Sequence, residues 1–598
     1  MTPRTGATIL SRSLRRLGAT TVFGVAGSQN VALLEELRRE RIHMISGTSE
    51  LTSSFIANGH ARVTREPAVL TTIPGPGFAY ALPGVAEALL DSVPLVWMSI
   101  APEEASDGRR TLQQIPQAVL AAPIVKRVFE VREAKEIDRS LSRAFVAASQ
   151  GDPGPVLLHL HPGALRSSVD PHEGGGNAEP GFVPALSRRA AHPGRESIRS
   201  VGRELRKARR PVLFAGQGVL DAPSSLRSLA EALGAPVLTT TSARGVIPED
   251  HPLAIAADRP GESPDGINRM LERADLILAL GCGFSHNGAH GFRVALPSDR
   301  LIHVNSSSAA LGRPYPARVS LHCDLRTFFQ EVSAGAGTAN GSEWTAPELE
   351  FWRKDLARSS RASGMEPQVP GLGKGSMETL FLGLRAALPP DAMVVTDSGR
   401  HQMLTRRYFT VLRPGGLVVP ANFQSMGFGV PAALGVRAAD RSRPVVAVVG
   451  DGGFHMSATE LLVARREGLD VGVIVFNDGE FGLIADQQRR DYGRATATKL
   501  QVPDMRGLAR SLGCRFLRMD GTRRPEEVFA EMVRTPGVVV VDIPLVRSAN
   551  SRVRQARGLA RETVHRLGSA RVVDWVREAF GLTGSSRRAV PPPTARRR

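Results

Sequence analysis

Acidic residues follow two apolar segments in the last third of the chain, at positions where strands are expected to end. Residues 445–449 are rich in valine and lead into Gly450-Asp451-Gly452-Gly453, and residues 471–476 lead into Asn477-Asp478-Gly479-Glu480. If the two strands are parallel neighbours, both acidic turns lie at the carboxyl edge of the sheet, where open α/β sheets bind ligands. Carboxylate oxygens there suit Mg²⁺ bridging to phosphates, and the glycines let backbone amides approach a phosphate beside a helix N-terminus.

The spacing of the two turns carries a family resemblance. The interval of 26 positions from Asp451 to Asn477, with its strand–helix–strand setting, resembles the cofactor signature of thiamine-diphosphate-dependent enzymes. The resemblance implies that Asp451 and Asp478 bind the metal through their side chains and Glu480 through its backbone carbonyl, and that Asn477 also belongs to the metal site. Many relatives carry Asn-Asn where this chain has Asn477-Asp478, and we interpret Asp478 as a variant oxygen ligand that adds negative charge.

Two segments upstream extend the resemblance. Residues 396–403 look like the first diphosphate loop of the family, which implies that Ser398, Gly399, Arg400 and His401 face the phosphates. Residues 425–433 are similar to the segment beneath the cofactor. In that pattern Met426 is the apolar wedge that bends thiamine, so that its amino group faces the thiazolium carbon.

An activating carboxylate is expected in the N-terminal part of the chain. Thiamine chemistry needs an acid that protonates the aminopyrimidine ring, and the family places it after a strand and before a helix. Glu50 matches that context and is our candidate. The family pattern also implies cofactor contacts at Gly75 and Pro76, within the Gly75-Pro76-Gly77 motif.

Departures from the family cluster near this carboxylate. Relatives usually have His before the glutamate, where this chain has Ser49; Ile73-Pro74 replaces Thr-Ser, and Tyr80 replaces an Asn. These positions lie near the cofactor or the substrate in relatives, so the resemblance does not decide which substrate this chain uses.

One branch of the family fits best. Leu112-Gln113-Gln114 and Lys126 resemble the loop and lysine of acetolactate synthases, and the segment 476–484 is also most similar to that branch. The resemblance implies decarboxylation of a 2-oxo acid followed by carboligation, typified by two pyruvates giving acetolactate, with Gln113 as a catalytic residue. The alternatives are a 2-oxo acid decarboxylase, an acyl-transferring thiamine enzyme of specialised metabolism, and a non-catalytic homologue.

The central part of the chain indicates whether FAD is expected as a cofactor. Relatives that hold FAD commonly carry acidic residues after the strand equivalent to 301–304, and this chain has Asn305-Ser306-Ser307-Ser308. Gly216-Gln217-Gly218 and Gly281-Cys282-Gly283 remain, but such pairs are often turns. We expect thiamine diphosphate and Mg²⁺ as cofactors and no obligatory FAD.

Strands and helices alternate in three blocks, which predicts an α/β protein of three domains with parallel sheets flanked by helices. We expect an N-terminal pyrimidine-binding domain at 1–165, a central Rossmann-like domain at 196–335 and a diphosphate-binding domain at 373–545. A loop-like linker is expected at 168–195, and a basic, partly disordered extension at 546–598. The predicted strands are 21–25, 68–72 and 95–100, then 211–216, 274–281 and 301–305, then 392–396, 445–449, 471–476 and 537–541.

Composition argues against other classes of function. The 598 residues carry a net charge of +18, but the excess is dispersed Arg plus a basic C-terminus, without any nucleic-acid-binding signature, so we expect no nucleic-acid partner. No run of about 18 apolar residues occurs, so no membrane span is expected. Three scattered cysteines indicate a reducing cytoplasm.

In the family the active site forms between two subunits, which implies a homodimer or homotetramer acting on a small-molecule 2-oxo acid.

Overall fold

The computed structural model describes residues 4–103, 109–169, 193–255, 264–334, 341–361, 366–373 and 376–547. Most of the predicted linker at 168–195, and the predicted C-terminal extension from residue 548 onward, lie outside the described residues. None of the helices in the described ranges is long and apolar enough to cross a membrane.

The N-terminal part contains a six-stranded parallel sheet in the order β3-β2-β4-β5-β7-β6, and a small antiparallel pair, β1 with β8. The strands are β1 (Arg4–Thr5), β2 (Thr21–Gly24), β3 (His43–Ser46), β4 (Ala68–Thr72), β5 (Leu95–Ile100), β6 (Val128–Val131), β7 (Pro155–Leu160) and β8 (Ser168–Val169). The helices are α1 (Gly6–Arg16), α2 (Val31–Arg39), α3 (Glu50–Thr64), α4 (Pro76–Leu90), α5 (Gln117–Ala121), α6 (Ile137–Ser149) and α7 (Pro162–Arg166).

The central part contains a second six-stranded parallel sheet, in the order β11-β10-β9-β12-β13-β14. Its strands are β9 (Pro211–Ala215), β10 (Val237–Thr239), β11 (Ala254–Ile255), β12 (Leu276–Leu280), β13 (Leu301–Asn305) and β14 (Val319–His322). Its helices are α8 (Arg195–Lys207), α9 (Pro223–Leu233), α10 (Asp265–Glu272), α11 (Leu325–Ala334) and α12 (Ala346–Arg361).

The third sheet, in the order β16-β15-β17-β18-β20-β19, is also six-stranded and parallel. Its strands are β15 (Met393–Thr396), β16 (Leu417–Val418), β17 (Val445–Gly450), β18 (Val471–Asn477), β19 (Arg515–Arg518) and β20 (Val538–Pro544). Its helices are α13 (Ser376–Ala387), α14 (Arg400–Tyr408), α15 (Gly429–Ala439), α16 (Asp451–Ser457), α17 (Glu460–Arg466), α18 (Gly482–Tyr492), α19 (Met505–Ser511) and α20 (Pro525–Arg534). The predicted fold class is confirmed, and each predicted strand is present to within two residues at either end, except that β20 continues three residues beyond its predicted end.

Buried β-branched and aliphatic side chains explain why these segments form sheets covered on both faces. The strands β5, β7, β9 and β12 are buried along their whole length, as expected when helices pack on either side of a parallel sheet. One difference concerns the segment after β17. A single helix was expected there, and the structure has two, α16 and α17, with Leu461 buried and Leu462 half exposed.

The first and third sheets have the same topology. In each, the first two strands along the chain are swapped in space, and so are the last two. The helices α3 and α15 therefore occupy equivalent places, each after the second strand of its sheet. They pack against each other and join the two sheets in one apolar core.

Candidate active site

The two predicted acidic turns meet at one edge of the third sheet. β17 and β18 are parallel neighbours with Gly450 paired to Phe476, so Asp451 and Asp478 leave the sheet at the same carboxyl edge. Asp451 begins α16. Its Oδ1 accepts a hydrogen bond from the amide of Gly452 at 2.8 Å and its Oδ2 one from the amide of Gly479 at 2.7 Å. The predicted juxtaposition of the two turns is confirmed.

Negative charge is crowded at this edge. Burial, together with the charges of Asp451, Glu480 and Asp486, raises the pKa of Asp478 to about 7, against the opposing charge of Arg400. Burial also raises the pKa of Asp451. Two carboxyl groups whose charged forms are this costly would be stabilised by a divalent cation between them.

The other two predicted metal residues use their side chains elsewhere. Both carboxylate oxygens of Glu480 accept hydrogen bonds from Arg489, at 2.8 and 2.5 Å. The amide nitrogen of Asn477 donates to Oδ1 of Asp542 on β20 at 2.9 Å. The arrangement of Glu480 is compatible with a backbone carbonyl as the ligand, and the metal roles of Glu480 and Asn477 stay predictions.

The loop after β15 supplies Ser398, Gly399, Arg400 and His401. His401 is buried between Gly399 and Gly450, and its Nε2 has no hydrogen-bond partner in the described part of the chain. Burial lowers the pKa of His401 to about 3, so the imidazole is neutral at pH 7. A buried ring nitrogen without a partner is a vacant position for a polar ligand group.

The Arg400 side chain lies on the acidic edge. Its Nη1 donates to Asp478 at 2.5 Å, and its Nη2 donates to Asp486 and to the carbonyl of Gly482, both at 2.6 Å. Arg400 therefore links the predicted diphosphate loop to the predicted metal residue Asp478. Its predicted contact with the phosphates stays a prediction.

Asp397 is an anchoring residue that the sequence reasoning did not single out. Its two oxygens accept hydrogen bonds from the amides of Ser398 (2.7 Å) and Gly427 (2.9 Å), which ties the loop after β15 to the segment that carries Met426. Burial raises its pKa to about 7, although these backbone donors oppose the shift. An aspartate directly after a buried strand was the available signal.

Met426 lies at the surface of this edge. Its side chain is 37% exposed, and Met456 nearby is 56% exposed, with Phe423, Leu483 and Ile484 also about half exposed. Several exposed apolar side chains beside buried carboxylates are unusual for a solvent-facing surface and are typical of a ligand or subunit contact.

The predicted site residues of the N-terminal sheet lie together around the start of α3 and the Gly75-Pro76-Gly77 turn. Glu50 is buried at the start of α3, where Ser49 caps the helix and forms a capping box with Thr52. The departure at Ser49 thus has a structural role. A Cβ at Gly77 would lie 2.3 Å from Oε1 of Glu50, so the carboxylate rests directly against the Gly75-Pro76-Gly77 turn.

Gln113 packs against the same Gly75-Pro76-Gly77 turn. A Cβ at Gly75 would lie 2.7 Å from Cβ of Gln113, and Oε1 of Gln113 accepts a hydrogen bond from Gln29 at 2.8 Å. Lys126 lies elsewhere: its Nζ donates to the carbonyls of Ala147 and Gln150 at the end of α6.

The helices that follow Glu50 and Met426 pack against each other. Gly59 on α3 packs against Ala432 on α15, and Gly435 packs against Ile56 and His60, so the backbones of the two helices touch near the middle of α3. Glu50 at the start of α3 is about 13 Å along the helix axis from Gly59. The ring of Phe428, directly before α15, lies 5.4 Å from the ring of Phe55 on α3.

A cleft at the carboxyl edge of the central sheet is lined by the predicted glycine turns and by Asn305. A Cβ at Gly216 would lie 2.3 Å from the carbonyl oxygen of Gly281, so close backbone packing accounts for these glycines. Asn305 donates to the carbonyl of Cys282 and accepts from the amide of Ser307, both at 2.9 Å. The absence of an obligatory flavin stays a prediction.

Three domain models of one enzyme family match consecutive parts of the chain. They are the N-terminal TPP binding domain of thiamine pyrophosphate enzymes at residues 4–120, the central domain at 198–332 and the C-terminal TPP binding domain at 397–543.

Relatives of similar length share about 28% of their residues with the chain. The acetolactate synthase isozyme 1 large subunit of Escherichia coli K12 is 28% identical over 90% of this chain and 93% of its own length. Acetolactate synthase 1 of Oryza sativa subsp. japonica, a chloroplastic protein, is 28% identical over 90% of this chain and 84% of its own. The acetolactate synthase of Mycobacterium bovis is 29% identical over 93% of this chain and 92% of its own length.

Proposed function

Because the chain belongs to the thiamine pyrophosphate enzyme family, we propose that it decarboxylates a 2-oxo acid and joins the remaining acyl unit to a second substrate, in the manner of an acetolactate synthase. The observation that carries the proposal is the presence of two complementary half-sites. One is the Glu50 carboxylate against Gly77, and the other is the Asp451–Asp478 edge beside His401.

The residues at the acidic edge fit a diphosphate with Mg²⁺. Glycine is required at positions 450 and 453, because a Cβ atom at Gly450 would clash with the His401 side chain and one at Gly453 with the Asp397 side chain. The unpartnered Nε2 of His401 is available to a phosphate oxygen, and the crowded carboxyl groups of Asp451 and Asp478 provide hard oxygen ligands for the cation.

Thiamine diphosphate, when bound, supplies the electron sink for decarboxylation and carbon–carbon bond formation. Glu50 would hold a proton towards the pyrimidine ring from a buried position that excludes water. Met426 would set the angle between the two cofactor rings, and Gln113 would bind substrate above the Gly75–Gly77 turn.

We propose a homodimer as the smallest active unit. Support comes from the family resemblance, which implies an active site formed between two subunits, and from the place of Glu50, which lies against Gly77 at the start of α3. In the proposed dimer each chain brings its Glu50 to the Asp451–Asp478 edge of the other. The exposed apolar side chains around Met426 are the surface that such a partner would cover.

Mixing two impaired variants tests the shared site. Glu50→Gln and Asp451→Ala should each lose most of the turnover alone, the first retaining diphosphate binding and the second losing Mg²⁺ and cofactor affinity. In a co-expressed mixture, about half the dimers contain one chain of each kind, and each restores one of its two sites, so about a quarter of wild-type activity should return. Activity that stays at the level of the single variants would contradict the shared site.

Incubation with pyruvate, thiamine diphosphate and Mg²⁺, with and without FAD, tests the reaction. We expect acetolactate, and the Glu50→Gln variant is the control for background chemistry. Aldehyde without any ligation product, from pyruvate or from a panel of 2-oxo acids, would refute the synthase assignment.

Tyr80 favours a second candidate within the family. Its side chain is 58% exposed on α4, one turn after Gly77, where relatives usually carry Asn. A bulky phenol there could exclude a second 2-oxo acid or select another acceptor, giving a decarboxylase or an acyl-transferring enzyme. If so, Tyr80→Asn should raise acetolactate formation relative to aldehyde.

A further inference from the structure

Two histidines and a carboxylate lie together on the N-terminal sheet, apart from the residues assigned above. Glu130 on β6 and His159 on β7 are register partners on neighbouring parallel strands. His161 follows two positions after His159. Because side chains alternate along a strand, His159 and His161 share one face of the sheet with Glu130.

Their potential ligand atoms are close to one another. Nδ1 of His159 lies 3.1 Å from both carboxylate oxygens of Glu130, and Nε2 of His161 lies 2.9 Å from Oε2. One ligand atom from each residue can be chosen so that all three lie within 4.8 Å of one another. Zinc bonds of roughly 2.0–2.1 Å in a tetrahedral site place neighbouring ligand atoms about 3.3 Å apart, so small side-chain rotations would suffice.

The cluster is held on one side and open on the other. The His159 side chain is 9% exposed, and its Nε2 has no hydrogen-bond partner within the described ranges. His161 and Glu130 face a groove that is also lined by Gln114, Ile115 and Arg132.

We propose that Glu130, His159 and His161 bind a divalent transition-metal ion such as Zn²⁺, with the fourth coordination position open to the groove. Two imidazoles and one carboxylate are a ligand set of open zinc sites, whereas Mg²⁺ prefers oxygen ligands alone. The proposed site therefore differs in chemistry from the Asp451–Asp478 edge. Arg110 and Arg132 line the same groove and favour an anionic group or substrate carboxylate in the fourth position.

Zinc titration of the tag-free full-length chain tests the proposal. With Mg²⁺ and thiamine diphosphate saturating, calorimetry should show one equivalent of Zn²⁺ per chain. Glu130→Gln and His161→Ala should each abolish that equivalent. His251→Ala is the matched control, because His251 pairs with a single carboxylate, Glu231, at 3.1 Å and should leave the stoichiometry unchanged.

Two results would overturn the site. One is the absence of zinc binding by the wild-type chain, and the other is unchanged stoichiometry in both variants, which would leave only a hydrogen-bonded His–Glu ladder. Co²⁺ bound to the wild-type chain gives a readout that needs no variant. A strong visible absorption of tetrahedral type is expected, and a weak octahedral spectrum would also refute the proposal.

Discussion

Replacing Gly77 by alanine should reduce turnover about a hundredfold while leaving the fold and the diphosphate affinity intact. A Cβ at this position would lie 2.3 Å from Oε1 of Glu50 and 2.6 Å from Cγ1 of Ile73. Since ordinary van der Waals contacts begin near 3.4 Å, the carboxylate has to move by about 1 Å. The free end of a side chain yields more easily than backbone, so the strain falls on the proposed proton donor.

The magnitude follows from that displacement. A misplacement of about 1 Å at a reacting group costs on the order of 10²-fold in rate, or about 2.7 kcal/mol of activation free energy. Alanine is also a better helix former than glycine by about 1 kcal/mol, which offsets the contact in the folded state. The unfolding temperature should therefore change little.

Steady-state turnover with saturating donor, thiamine diphosphate and Mg²⁺ is the assay, with cofactor affinity measured separately by calorimetry. Gly163→Ala is the control, because a Cβ there meets no atom within 4 Å. Wild-type turnover in Gly77→Ala would refute the role of Glu50. A loss of cofactor affinity at unchanged turnover would show that the turn acts on binding instead.

Four further outcomes can be measured on the same protein. Glu50→Gln should lower turnover by about 10²–10⁴-fold at unchanged diphosphate affinity, and unchanged turnover would contradict its role. Asp478→Asn keeps an oxygen ligand but loses charge, so Mg²⁺ should bind more weakly than in wild type and more tightly than in Asp478→Ala; calorimetry with Mg²⁺ would reveal the reverse order. Gly435→Ala should destabilise the protein by roughly 1–3 kcal/mol or more, because its Cβ would lie 1.8 Å from the carbonyl oxygen of Ile56, and denaturant unfolding would show no change if α3 and α15 did not pack so closely. Glu87 is buried beside the amide of Ser425, and burial, with the charge of Asp91, raises its pKa to about 7 from 4.5. Between these values the unfolded chain has lost a proton that the folded chain keeps, so this group makes stability fall as pH rises through that window. Glu87→Gln should flatten that part of the pH profile of the unfolding temperature, and parallel profiles for variant and wild type would count against the shift.

Local sequence patterns were enough to predict the strands and the acidic turns of the third sheet. Runs of valine bounded by glycine and aspartate identify β17 and β18 and place Asp451 and Asp478 at strand ends, because a buried parallel strand needs continuous apolar residues and its ligand-binding turn needs polar ones. Glu50 was identified by resemblance, because the family places its activating carboxylate between a strand and a helix. These features depend on residues that are near one another in the chain.

Only the tertiary structure decided which distant residues meet. The contact of Gly77 with Glu50, the ion pairs of Arg400 with Asp478 and Asp486, and the anchoring by Asp397 join segments that the spacing of residues does not relate. The close packing of α3 against α15 depends on Gly59 and Gly435, which let the two backbones touch. The reason is physical: strand and turn patterns report local backbone preference, whereas helix packing and sheet register depend on shape complementarity between surfaces that form only on folding.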